Sequence, residues 1–140
     1  MRARRSTACA LALTGAAALA GCGQEEDHAN RERPAASISV SAAIIHGRIE
    51  VSPERFGAGP IRLIVTNQTQ SAQAVTIETG GGDPGITESS GPINPSTTTT
   101  MEVDVPEGDY EITSDDQAVK PASVTVGAPR PSAQDQLLQP

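Results

Sequence analysis

The chain has 140 residues, a formal net charge of -7 and only two aromatic residues, Phe56 and Tyr110. That length fits one domain with tails and excludes two full domains. The acidic balance excludes the basic stripe of a nucleic-acid binder, and the lack of aromatics excludes stacking platforms for bases or sugar rings.

Residues 1–21 read as an export signal. Arg2, Arg4 and Arg5 form a positive start, and an Ala- and Leu-rich run from about Ala8 to Ala20 follows. The run is shorter than the roughly 20 apolar residues that span a bilayer. A charged start, a short apolar middle and small residues before a cut describe a secretory signal peptide. Leu19-Ala20-Gly21-Cys22 resembles the lipobox of bacterial lipoproteins. That resemblance implies a diacylglycerol thioether on Cys22, removal of the leader before it, and a bacterial membrane anchor facing an extracytoplasmic space. Two or three acyl chains anchor stably, whereas one is marginal.

Cleavage before Cys22 removes three Arg and no acid, leaving 7 basic against 17 acidic residues, a net charge of -10. It also discards Cys9, so Cys22 is the only remaining thiol. An intramolecular disulfide is then impossible, and the fold rests on burial and hydrogen bonding.

Residues 22–36 form the lipidated Cys and a flexible, mixed-charge tether. A dozen extended residues reach about 40 Å. Residues 37–127 form the domain, and residues 128–140, with three prolines and little apolar content, a flexible tail. Within the domain the apolar residues alternate. A first run covers Ile38 to Ile45. Ile49 and Val51 follow, then Ile61, Leu63 and Val65, then Val75 and Ile77. Met101, Val103 and Val105 come next, then Tyr110 and Ile112, and finally Val124 and Val126. Period-two alternation over short runs predicts strands with one face buried. Turn residues fall between them at Ser52-Pro53, Gly57–Pro60, Gly80–Gly85, Gly91-Pro92 and Pro106–Asp109. The prediction is an all-β, antiparallel Greek-key sandwich with an aliphatic core, cupredoxin-like or alternatively immunoglobulin-like. Tyr110, just after Pro106-Glu107-Gly108-Asp109, resembles the tyrosine corner of such sandwiches, whose hydroxyl bonds to upstream backbone.

The run Ile49–Thr66, followed by Asn67 and Gln73–Ile77, resembles the front half of a cupredoxin domain. Pro95–Ile112 resembles that family's penultimate hairpin, and Ala122–Val126 its last strand. The likeness covers about 80 residues and is carried by strands and turns. It implies a copper-binding His two residues before Val75, where this chain has Gln73. It implies a ligand Cys four residues after Tyr110, where this chain has Ser114. A further His and Met belong in the following loop, which here is Asp115–Pro121 and has neither. Type 1 copper needs imidazoles and a thiolate. The sequence therefore predicts no metal, no cofactor and no electron transfer. The rival reading is a copper-handling or electron-transfer protein with a degenerate site, using His46 and Met101.

Other chemistry is thinly supplied. A Ser-His-Asp set would have to form around His46. Glu78 and Glu88 are conceivable acid/base partners. The Gly80–Gly85 run lacks the Gly-Lys-Ser/Thr of a phosphate loop. Asp104, Glu107, Asp109, Glu111, Asp115 and Asp116 lack EF-hand spacing and read as a solvated acidic face. The expectation is a non-enzymatic binding or scaffolding module of the bacterial envelope. It has no catalytic residue, meets the membrane through lipid on Cys22, and binds an envelope protein or ligand but no nucleic acid.

Overall fold

The computed structural model describes residues 33–82 and 85–133. The leader and Cys22 lie outside the described residues. The elements in order are β1 (Ile38–Ile45), β2 (Arg48–Ser52), β3 (Arg55–Asn67), β4 (Gln73–Thr79), β5 (Thr87–Ile93), β6 (Thr98–Val105), β7 (Gly108–Ser114) and β8 (Ala122–Pro129). Among the described residues no helix is long and apolar enough to cross a membrane.

Two sheets share one strand. The first runs β2-β1-β3-β6, and the second runs β3-β8-β7-β4-β5. Residues Arg55–Ala58 of β3 pair with β8, whereas Gly59–Asn67 pair with β1 and β6. The alternating residues of both sheets meet inside: Val40, Ile44, Ile61, Leu63 and Val65 from one, Val75, Ile77, Ile112, Val124 and Val126 from the other, each no more than 2% exposed. Burying each such side chain contributes about 1.5–3 kcal/mol, so aliphatic residues alone supply a core. Phe56 packs at its margin. Tyr110 is buried, and its hydroxyl donates to the Pro106 carbonyl at 3.0 Å, which is the tyrosine corner.

Four expectations need correction. The sandwich stands, but its sheets are mixed: β1–β3 and β3–β8 are parallel. Alternation reports which face is buried and is silent on strand direction. The hairpin of β1 and β2 returns the chain before β3 starts, so β3 runs with β1. Secondly, Gly57-Ala58-Gly59-Pro60 is no turn. It is the bend where β3 leaves one sheet for the other, with a register shift between Gly57 and Ala58. A Cβ on Gly57 would sit 2.7 Å from Arg130 Cγ and 2.8 Å from the Ala128 oxygen, and Gly59 has φ +123°. Thirdly, β6 and β7 are joined by the Pro106 turn but sit in opposite sheets, so they are not a paired hairpin.

The fourth correction concerns the expected tail. β8 continues to Pro129, and Arg130 reaches back into the bend of β3. Its Nε donates to the Gly57 and Ala58 carbonyls at 3.0 and 3.2 Å, one terminal nitrogen to Pro60 at 2.6 Å, and the other to Ala36. Ser132 is buried and its hydroxyl donates to the Arg33 carbonyl at 2.7 Å. Residues 130–133 therefore lie fastened along residues 33–36. The planar guanidinium, with several donors in one fork, can hold several carbonyls at once.

Candidate functional site

Several connections gather at one end of the sandwich. They are the His46-Gly47 turn, residues 68–72 after β3, residues 94–97 before β6 and residues 115–121 after β7. Asn67, fully buried, ties two of them, 68–72 and 94–97. Its amide donates to the Ser71 and Ile93 carbonyls, both at 2.8 Å, and its Oδ1 accepts from the Thr69 amide at 2.9 Å and hydroxyl at 2.8 Å. Its backbone bonds to Thr97 and Ser96. These bonds offset the cost of taking the amide out of water.

Beside it the fold brings Gln73 and Ser114 together. They begin β4 and end β7, which pair antiparallel with Val75 opposite Ser114. The Ser114 hydroxyl donates to Gln73 Oε1 at 2.6 Å, and Gln73 Nε2 donates to Ser71 Oγ at 3.0 Å. The Asp116 amide donates to Ser114 Oγ at 3.2 Å. Asp115 Oδ1 accepts from the Ala74 amide at 2.8 Å, and Asp116 Oδ1 from the Ala118 amide at 2.9 Å. Gln73 is 3% exposed. The loop after Ser114 is held by Val119, buried in the core, and by Lys120, whose backbone bonds to Gly47 and Ile49 at 3.0 Å each.

Ser71, Asp115 and Asp116 were not legible as members of this network. Asp115 and Asp116 read as an acidic face, and here their carboxylates cap backbone amides. The only advance signal was Ser114-Asp115-Asp116 itself, since short polar side chains bond to neighbouring backbone.

The remaining candidates do not converge. His46 is exposed at the tip of the first hairpin. Met101 lies mid-β6 opposite Leu63, level with Val40, about 20 Å along β1 from that tip at roughly 3.3 Å per residue. Glu78 pairs with Thr87 and Glu88 with Ile77, so the two carboxylates occupy opposite faces of the sheet. Glu78 also lies directly opposite Glu111 on the outer face, and no three His, Cys, Asp or Glu among the described residues are placed to hold a metal ion. A groove of about 700 Å³ runs along β1 and β2, lined by Ser41, Ala43, Thr66 and the exposed Arg48–Glu50 ion pair among others.

No protein-family model matches the chain, and no curated protein matches it. Solved structures do. Auracyanin A, a "blue" copper protein from Chloroflexus aurantiacus, superposes with a TM-score of 0.54 at 10% identity, covering 66% of this chain and 100% of its own. Auracyanin from Roseiflexus castenholzii gives 0.48 at 13% identity, covering 67% and 98%. A pseudoazurin from Sinorhizobium gives 0.44 at 10% identity, covering 67% and 76%. The fold is cupredoxin-like. Identity this low carries the fold alone. Blue sites use imidazole and thiolate donors, whereas Gln73 and Ser114 present an amide and a hydroxyl that are already bonded to each other. This donor set does not fit the metal.

Proposed function

We propose that the chain is a lipid-anchored, extracytoplasmic lipoprotein of the bacterial envelope whose cupredoxin-like domain binds or scaffolds a partner without metal and without catalysis. The observation that carries the metal-free reading is the Ser114–Gln73 hydrogen bond of 2.6 Å. It joins the two positions that the family resemblance assigns to ligands, where an amide and a hydroxyl stand in place of imidazole and thiolate. The anchor is supported by Leu19-Ala20-Gly21-Cys22 behind an Ala- and Leu-rich leader. The available surfaces are the groove along β1 and β2 and the acidic outer faces.

Copper titration of the full chain tests this reading. The expected result is no saturable one-to-one binding and no blue absorbance with Cu(II). Tight stoichiometric binding that is lost in His46→Ala would establish the copper-handling alternative in its place.

A further inference from the structure

Three strands, β2, β5 and β6, stand at sheet edges, and two of them are guarded. β2 is only five residues long, stops before Pro53, and has its Ile49 amide bonded to the Lys120 carbonyl at 3.0 Å. β5 is broken by a register irregularity opposite Ala74–Thr76 and contains Gly91-Pro92. β6 has neither device. It runs eight residues in unbroken register with β3, contains no Pro, Gly or Lys, and pairs with no other strand among the described residues. Its one guard is the pair of acids Glu102 and Asp104 on the outer face, and an edge without breaks, prolines or bulges is a template for a further strand.

The register shows which groups are free. The Asn67 amide bonds to the Thr97 carbonyl, so in this antiparallel ladder the odd residues of β6 bond to β3. Thr98, Thr100, Glu102 and Asp104 turn their amide and carbonyl groups to the open edge, and their side chains lie on the exposed outer face. The inward positions Thr99, Met101, Val103 and Val105 carry no charge, so no inward-pointing charge guards this edge.

We propose that β6 is a self-association surface, on which two copies of the chain pair antiparallel and join their first sheets into one. The strand is complementary to itself in one register. Paired residues must share a face, so position numbers of equal parity meet. Centring on Met101 sets Thr100 opposite Glu102, Thr98 opposite Asp104 and Thr99 opposite Val103. All the outward backbone groups of Thr98, Thr100, Glu102 and Asp104 then find partners, and each carboxylate faces a threonine. Arg62 beside Glu102, at 3.6 Å, further offsets the charge. Sliding the pair one step toward Val105 sets Glu102 against its own copy, which like-charge repulsion disfavours. Sliding the other way takes Asp104 past the end of the strand to Ser96. In this one register a second copy sets no like charges directly opposite each other and leaves no outward backbone group of Thr98–Asp104 unpaired.

The register can be trapped. Met101 opposes its own copy in a non-hydrogen-bonded pair, with Cα atoms about 4.5 Å apart, inside the range a disulfide bridges. Met101→Cys, in the full chain carrying Cys9→Ser and Cys22→Ser, is expected to form a covalent dimer on mild oxidation. Thr87→Cys on the guarded β5 edge should not. A second pair of variants guards against misfolding. Thr100→Lys faces Glu102 twice across the two-fold axis and should raise the dimer association constant in sedimentation. Thr100→Glu should lower it, by up to about fivefold per pair. Monomers throughout with no cross-link overturn the proposal and leave a different partner strand as the occupant. Thr100 variants that shift association in the same direction overturn it as well.

Discussion

At the residue scale, the polar side chains of the loop end are buried links, and each has a measurable worth. Ser114→Ala removes the only donor to Gln73 Oε1 described here, leaving a buried acceptor unpaired. A cost of about 1–3 kcal/mol is expected in urea unfolding. Restoring a hydroxyl with Thr should recover part of it, whereas a Ser114→Ala protein of unchanged midpoint would show that the bond contributes nothing. Tyr110 gives a pH-dependent counterpart. Burial raises its hydroxyl pKa above the ordinary value of 10.0. The folded state therefore holds the proton more tightly than the unfolded chain. The Tyr contribution is complete below pH 10.0 and is lost as pH rises from there through the raised folded value. Unfolding midpoints measured from pH 8 upward should fall in this alkaline window, and the fall should be smaller in Tyr110→Phe. That variant should also be about 1 kcal/mol less stable at neutral pH, through loss of the bond to Pro106. Tyr110 was legible in the sequence because its role depends on a local turn. Asn67 was legible only as a strand end, because its partners Ile93 and Thr97 come from 26 and 30 residues away.

At the element scale, what could be read depended on how each strand is buried. β1, β3, β4, β7 and β8 pack an apolar face against the opposite sheet, so period two marked them in advance. β5 escaped notice because it is an edge strand with one buried residue, Ile93, and an irregular register. The bend in β3 was misread because glycine signals a turn and a sheet crossing alike, and local sequence does not separate them. The structure gives the reason these glycines are needed. Gly57→Ala drives a Cβ against the Ala128 oxygen at 2.8 Å, a backbone atom that cannot swing away. Overpacking of this kind costs about 1–3 kcal/mol. The Arg130 fork should matter through the chain ends it holds. Arg130→Ala is expected to speed hydrogen exchange at the Ala133 amide, which bonds to Pro34 at 3.3 Å, while core amides such as Ile112 keep their protection. Arg130→Lys should not restore it, because a point charge cannot hold four carbonyls. Equal exchange in all three proteins would show that residues 130–133 stay in place without the fork.

At the scale of the whole molecule, the fastening of residues 33–36 to residues 130–133 brings both ends of the described domain to one place. A pull arriving through the residues before Arg33 would meet the Arg130 fork and the Ser132 bond before it reached the core. A lipid on Cys22 would therefore hang the sandwich from a joint made by its two ends. The proposed anchor rests on four consecutive residues, whereas the joint depends on contacts nearly a hundred positions apart and left no local mark. The anchor is open to a direct test that charge makes clean. Cleaved before Cys22, the chain would carry -10, and like charge would repel it from an anionic bilayer, so retention there in high salt would point to acyl chains. Wild-type protein expressed in a bacterium should partition into the detergent phase and stay on membranes in high salt. Cys22→Ser should move it to the aqueous phase or leave it with the leader uncleaved, at unchanged thermal stability of the folded domain. Detergent partitioning that survives this substitution would exclude the thioether on Cys22 and require a different attachment.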